Sequence, residues 1–425
     1  MTNNQDDDST TDHEDDGNDE HCHDDQSTNN SKNNNKNSPT YQSGKFDPLD
    51  KSHYPNWNWD HVHSYVAIRR ASAYSQQQIE QIAHHDVVML EKSNGTSAYG
   101  SVEEGTRQAA ARIKAVNPSV KILFYLNSMV HYPRYEANKS FQLDWATRKR
   151  KNPDKYFKFM NRYYYYDHRN LDFRAWWINR ALEMLDNEHI DGVFVDGICA
   201  TPNRRGYGKG YEQAYIETAT ELRERLPPGK LLIGNALKNG ANNPLGGIGN
   251  IQHLQYLDGS YLERWYFTPK SIVKTMELMR EALKEGRIVM LKAVPDERDA
   301  VPKWDEETSL EEVMQSPDMT MDERYALVER MIRYPLAIFL LIVEPHAYLS
   351  YCYGVNADPK NTRNGRAVFD CERFKELKRK LGKALGPYVK EDEDGEFVFS
   401  REFEFLKVWV DIESREVRLE EKSGG

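Results

Sequence analysis

From His61 onward the chain sets short apolar runs against longer stretches in which apolar positions recur every three or four residues. Eight runs stand out: 63–69 (HSYVAIR), 86–91 (DVVMLE), 121–127 (KILFYLN), 191–197 (DGVFVDG), 230–236 (KLLIGNA), 260–266 (SYLERWY), 287–294 (RIVMLKAV) and 347–353 (AYLSYCY). They are too short for helices and too apolar for exposed loops, the pattern of strands buried on both faces of a parallel sheet. Helical stretches fall between most of them, at 75–84, 105–116, 172–187, 211–226, 270–285 and 322–341. The stripe in IETATELRERL is that of a helix packed on the outside of a barrel. Eight strands alternating with helices over about 290 residues predict an α/β fold, a (β/α)8 TIM barrel.

After Gly354 the pattern changes. A helix is expected over 372–385, and then FVFS, FEFLKVWVDI and REVRLE alternate as antiparallel strands do, giving a small C-terminal antiparallel β appendage. At the other end, Asp, Asn, Ser, Thr and His dominate the first 45 residues, the composition of a disordered N-terminal tail. The expected divisions are therefore the tail at 1–45, the barrel at 46–365 and the appendage at 366–425. The tail carries eleven acidic side chains against three lysines, a net of −8 out of the chain's −10. The body is thus near neutral and lacks the basic footprint of a nucleic-acid binder.

No run of eighteen apolar residues occurs, so no membrane span is expected. The N-terminus lacks the basic start and apolar core of a signal peptide. An acidic, Asn-rich leader equally suits the linker left after a signal or lipid anchor is cut away, so secreted, surface and cytoplasmic placement stay open, as does oligomeric state. Cys22, Cys199, Cys352 and Cys371 form no CxxC pair. His21-Cys22-His23, with His13 nearby, has no second ligand set at zinc spacing, and neither a metal nor another cofactor is expected.

Candidate chemistry follows from strand direction. In DGVFVDG, Asp191 opens the strand and Asp196 closes it, ~16 Å away, so the two cannot share a site. Active sites of such barrels lie where the strands end, which makes Asp191 structural and Asp196 the site residue. The remaining strand ends contribute Arg69, Glu91 with Lys92, Asn127, Asn235, Glu263, Lys292 and Tyr353. Glu263 is a carboxylate in an otherwise aromatic and aliphatic stretch, where an unpaired charge is costly. Either it is ion-paired with Arg264 or Lys292, or it faces Asp196 across the barrel mouth as half of the carboxylate pair that glycoside hydrolysis needs. Asn127 and Asn235 suit core amides or partners for sugar hydroxyls.

Two connections are unusually long, 128–171 and 295–321, and long loops in compact domains are commonly functional. The first holds RYYYYDHRN at 162–170, with Tyr132, Tyr135 and Tyr156 before it and Trp176-Trp177 after it. Aromatic faces stack on sugar rings, so Tyr165, Tyr166 and His168 are expected to bind substrate, with burial of the loop aromatics as the competing reading.

PNWNWDHVHSYVAIRR near the start, FRAWW leading into DGVFVDG, and the terminal SREFEFLKVWVDIESREVRL together resemble a glycoside-hydrolase-like TIM-barrel family defined largely from sequence. The resemblance covers roughly residues 54–420. It implies a barrel acting on an oligo- or polysaccharide, with Asp196 at the family's strand-end aspartate and Glu263 as the next acidic residue to carry over. The roles it suggests are nucleophile or base for Asp196 and general acid for Glu263. Where such families have HF or similar after the first strand, this chain reads AIRR, a more cationic pocket that points toward uronic or sulfated sugars. Two rivals remain. A polysaccharide lyase would use a cation from Arg69, Arg70, Lys92, Arg134, Arg169 or Lys292 and Tyr166 or His168 as base. A non-catalytic carbohydrate-binding barrel would need neither carboxylate.

Overall fold

The computed structural model describes residues 50–422 apart from 150, 199–209, 238–250, 264, 266–267, 305–306, 353, 358–373 and 392–395. The tail, the His21-Cys22-His23 cluster and Tyr353 lie outside the described residues. The eight predicted strands form one parallel sheet: β1 (Tyr65–Ile68), β2 (Val87–Leu90), β3 (Lys121–Asn127), β4 (Gly192–Asp196), β5 (Leu231–Gly234), β6 (Gly259–Leu262), β7 (Ile288–Ala293) and β8 (Ala347–Tyr351), paired in chain order. A parallel bridge between Ser64 and Leu349, with the Leu349 amide donating to the His63 carbonyl at 2.9 Å, brings β8 back to β1 and closes the barrel.

Around it run α1 (Gln76–Ile82), α2 (Val102–Val116), α3 (Leu171–Leu185), α4 (Tyr211–Arg225), α5 (Pro269–Lys284), α6 (Met321–Glu329) and α7 (Arg333–Ile342). Their starts are written locally. Ser75, Ser101, Asn170 and Thr268 each accept an amide N–H of the first turn, and Pro269 occupies a position where no N–H is needed. The single helix expected over 322–341 is two, because Pro335 lacks an N–H and its ring collides with the carbonyl four residues earlier, at Met331. The helix expected over 372–385 is also corrected: beyond residues 372–373, which lie outside the described residues, a 3₁₀ turn spans Lys375–Lys378 and no helix follows it through 385. Its backbone is used non-locally, with Val62 N–H donating to the Leu377 carbonyl, Gly382 N–H to that of Trp59 and Phe405 N–H to that of Leu381.

The appendage is a four-stranded antiparallel sheet of β9 (Val389–Lys390), β10 (Val398–Glu402), β11 (Leu406–Asp411) and β12 (Glu416–Glu421). It packs along α7. Tyr334 donates to the Ile412 carbonyl at 3.0 Å, and the buried Arg401 guanidinium donates to the carbonyls of Leu340, Leu341 and Val343 at the helix's C-terminal end.

Register is pinned at the barrel's N-terminal face by a device used three times. Asp86, Asp191 and Asp258 stand just before β2, β4 and β6, and each carboxylate accepts a backbone N–H from the preceding strand position: Ser64 at 2.9 Å, Ile122 at 2.8 Å and Leu232 at 2.7 Å. Asp191 also meets Lys114 Nζ at 2.8 Å and Lys121 Nζ at 3.8 Å. It is therefore a structural residue, as its place at the start of the strand implies.

The long β3–α3 connection folds into short hairpins and 3₁₀ turns whose aromatic side chains turn inward. Tyr165 and Tyr166 are buried, and so is His168, which is 1% exposed. The expectation that these three bind substrate is corrected: they are the packing under the loop. Tyr166 stacks near Phe173, and its hydroxyl lies 3.2 Å from His131 Nδ1 and 3.3 Å from an Arg180 donor. His168 places Nε2 2.6 Å from the Ser128 carbonyl and Nδ1 2.9 Å from the Thr218 hydroxyl, so both ring nitrogens are occupied. Burial holds the His168 imidazole neutral, its pKa pushed down to about 4.

Two outcomes follow. Replacing Asp191 by Asn should cost about 1–3 kcal/mol in denaturant unfolding while leaving turnover within about twofold, because it weakens a clamp far from the strand ends; a large loss of turnover in a stable variant would contradict this placement. For His168, a folded pKa of about 4 below the ordinary 6.5 means that the unfolded chain binds more protons in that window. Its contribution is full above pH 6.5 and is lost as pH falls toward 4. In His168→Gln the slope of unfolding free energy near pH 5 should flatten by about 1.4 kcal/mol per pH unit relative to wild type. An unchanged slope would show that His168 is not the buried neutral group. His131, His253 and His346 are displaced the same way by burial and supply further slope in both proteins.

Candidate active site

Side chains alternate in and out along a strand, so the residues filling the barrel define which strand-end residues face its mouth. The filling is one cluster that includes Tyr65 and Ala67, Val87 and Met89, Leu123 and Tyr125, Phe194, Leu231 and Ile233, Tyr261, Ile288 and Met290, and Tyr348. Two residues beyond the last of these on each strand stand Arg69, Glu91, Asn127, Asp196, Asn235, Glu263 and Lys292. These seven strand-end candidates thus share the inward parity, whereas Lys92, one residue past Glu91, has the opposite one. On β8 that parity runs Tyr348, Ser350, Cys352, so the inward residue is Cys352, which is buried, with Sγ 3.7 Å from the Ser350 hydroxyl.

Asp196 is the most elaborately held. Tyr125 donates its hydroxyl to Oδ2 at 2.6 Å, Asn127 Nδ2 donates to Oδ2 at 3.0 Å, and Asn235 Nδ2 donates to Oδ1 at 3.1 Å. The orientation of Asn127 is itself fixed, because its Oδ1 accepts the N–H groups of Met129 at 2.8 Å and Val130 at 2.7 Å. Trp177 supports the same residue from behind, donating to its carbonyl at 3.0 Å. Burial and the neighbouring Asp196 charge push the Tyr125 phenol well above its ordinary range, which keeps it a donor. The Gly after Asp196 has a local reason: Gly197 sits at φ +74°, where the strand turns sharply away and a side chain would be strained.

Glu263 faces Lys292, whose Nζ lies 3.3 Å from Oε1, so the ion pair with Lys292 that its sequence context allowed is present. Burial alone would lower the Lys292 pKa, but the Glu263 charge, helped by Cys352 and Glu91, outweighs it and raises the ammonium above its usual range. Burial raises the Cys352 thiol. Glu91 is buried, with Lys92 Nζ 3.6 Å from Oε2, and Lys92 also lies 5.2 Å from the Tyr125 ring centre and 5.4 Å from that of Tyr132. The Glu91 charge acts on Tyr125 and Tyr261, and so reaches both the Asp196 and the Glu263 side of the mouth. Arg69 extends β1, its N–H donating to Val355 and its carbonyl accepting from Ala357.

Sequence reading passed over Tyr125, Tyr261 and Cys352. The signal was available for each, since residues two apart on a strand share a face: Tyr125 precedes Asn127, Tyr261 precedes Glu263 and Cys352 follows Ser350. Among the described residues no group of three or more His, Cys, Asp or Glu side chains is placed to hold a metal ion.

Solved structures with similar backbones include an alpha-amylase from Lactobacillus plantarum (12% identity, TM-score 0.47, covering 82% of this chain and 87% of that one) and an alpha-amylase from Geobacillus thermoleovorans (13%, 0.46, 83% and 87%). The glycoside hydrolase domain of a PelA variant from Pseudomonas aeruginosa is also similar, at 12% identity and TM-score 0.38 over 54% of this chain and 83% of that one. No curated protein matches the chain. Residues 114–407, from the end of α2 to the start of β11, match the sequence model of one family, and on that match the chain belongs to the hypothetical glycosyl hydrolase family 15.

Proposed function

We propose that the protein hydrolyses glycosidic bonds of an oligo- or polysaccharide at the C-terminal mouth of the barrel, with Asp196 as nucleophile or base and Glu263 as general acid. The observation that carries this reading is the setting of Asp196. Its carboxylate is oriented by a phenol and two amides, all uncharged donors, so its negative charge stays available to a sugar carbon that becomes cationic in the transition state. Among the described residues no cation lies within 4.0 Å of it.

Glu263 stands two strands away at the same inward parity. Lys292 engages Oε1, and the proposal gives Oε2 to the oxygen of the leaving sugar. Glu263 takes up a proton from solvent on Oε2 before the bond breaks; when it passes that proton to the leaving oxygen, the C–O bond to the anomeric carbon breaks and the ammonium stabilises the carboxylate left behind. Asp196 then either bonds the anomeric carbon directly or takes a proton from the water that does so. Arg69 is the rim cation whose side chain has no carboxylate opposite it among the described residues, and it suits an acidic substituent on the sugar. We read residues 46–365 as the catalytic unit and 366–425 as its support.

The lyase alternative draws its base from Tyr166 or His168, and both are buried with their polar atoms engaged, which disfavours it. The test is digestion of a glycan library by wild type, Asp196→Asn and Glu263→Gln, with folding checked by circular dichroism and melting. Each variant should fold normally and lose at least about a thousandfold in kcat, roughly 4 kcal/mol of transition-state stabilisation. An active Glu263→Gln sinks the two-carboxylate mechanism. Products absorbing in the ultraviolet would indicate the lyase, and binding without products a non-catalytic barrel.

A further inference from the structure

We propose that a second site, on the opposite face of the barrel from Asp196, binds a small molecule through a phosphate or carboxylate group held by Arg280 and Lys51. A cavity of about 400 Å³ lies there, between the C-terminal ends of α5 and α7 and the appendage, and its lining includes Lys51, Arg280, Lys284, His346, Tyr388 and Arg401. Four positively charged side chains around one cavity repel one another, so the partner of each decides what the cavity holds.

Two of the four are answered internally. Arg401 is satisfied by the α7 carbonyls and by Glu344, the carboxylate that also lines the cavity, and Lys284 pairs with Glu281 at 2.8 Å. His346 carries no charge at neutral pH, since burial first, with Lys51 and His63, pushes it down to about 4. Arg280 and Lys51 are different. Among the described residues neither has a carboxylate within 4.0 Å.

Helix C-termini favour cations, and the end of α5 accounts for some positive charge here. It does not account for the attitude of Arg280. The guanidinium is half-buried over the Tyr388 ring of the appendage, its centre 4.6 Å from the ring centre. A cation held by a ring keeps its fork of N–H donors for a ligand, and that planar fork matches the paired oxygens of a carboxylate or phosphate. Lys51 reaches the cavity over Gly286, where a Cβ would collide with its Nζ, and the absence of a side chain at 286 is what admits the ammonium. An oxyanion between these two groups would relieve their repulsion and tie together α5, the appendage and the segment that precedes β1.

The site lies at the strands' N-terminal face and does not depend on the catalytic reading above. Its test uses the full chain, with inorganic phosphate and with glucuronate as probes, against sodium chloride at matched ionic strength. At a hundredfold excess over Kd, a bound probe should raise Tm by about 2–3 °C, and calorimetric titration should give one site per chain. Arg280→Met and Lys51→Met should each weaken binding at least tenfold. Lys51 is exposed, so its variant should keep the wild-type Tm without anion even if Arg280→Met does not. A shift with phosphate alone identifies a phosphate ester as ligand class, and a shift with glucuronate alone identifies an acidic sugar. No shift with either probe, or shifts equal to wild type in both variants, overturns the site.

Discussion

The aspartates at the N-terminal ends of β2, β4 and β6 are the constraint on which the rest of the molecule hangs. Each accepts the amide of its neighbouring strand at 2.7–2.9 Å, and so fixes how far that pair of strands can slide. In a sheet whose side-chain period is two, a slip of one residue exchanges the inside for the outside. With register fixed at the bottom, Arg69, Glu91, Asn127, Asp196, Asn235, Glu263 and Lys292 face the mouth together at the top. The site is in this sense a consequence of hydrogen bonds made a strand's length away from it.

Between clamps and mouth lies an aromatic floor. Tyr125 stacks with Phe194 at 5.9 Å, Phe194 meets Tyr261 edge-on at 5.7 Å, and Tyr261 meets Tyr65 at 6.2 Å. The rings seal the barrel against water from above, and a buried phenol hydroxyl needs a partner. For Tyr125 that partner is Asp196, so one side chain serves both the core and the proposed chemistry. Removing it would open the floor and release the carboxylate at once, which is why its effect on rate alone could not be interpreted.

The barrel was legible because its strands are short apolar runs with unmistakable limits, and strand direction then separated Asp191 from Asp196 without further information. The β8 end shows how narrow that margin is: the inward parity runs through Ser350 to Cys352, one residue short of Tyr353, which lies outside the described residues. The helix expected at 322–341 failed for a reason the sequence does contain, Pro335, whose ring reaches back to Met331. The tyrosine run could not be read the same way. Whether Tyr165 meets solvent or Phe159, and Tyr166 solvent or Phe173, Arg180 and His131, depends on how a long connection folds, and no local periodicity encodes that.

Charge pairing gives the two ends of β4 their different characters. Asp191 and Asp196 are the same side chain on one strand. At the N-terminal end, Lys114 and Lys121 approach Asp191, and its remaining oxygen capacity goes to a backbone amide, so the group is spent on structure. At the C-terminal end the nearby cations are committed elsewhere, Lys92 to Glu91 and Lys292 to Glu263. Were either lysine uncommitted, it would be drawn to Asp196 and cancel the charge that the proposed mechanism needs. The pairing of each rim lysine with its own glutamate therefore has a use beyond stability: it leaves Asp196 to neutral donors, which orient a carboxylate without discharging it.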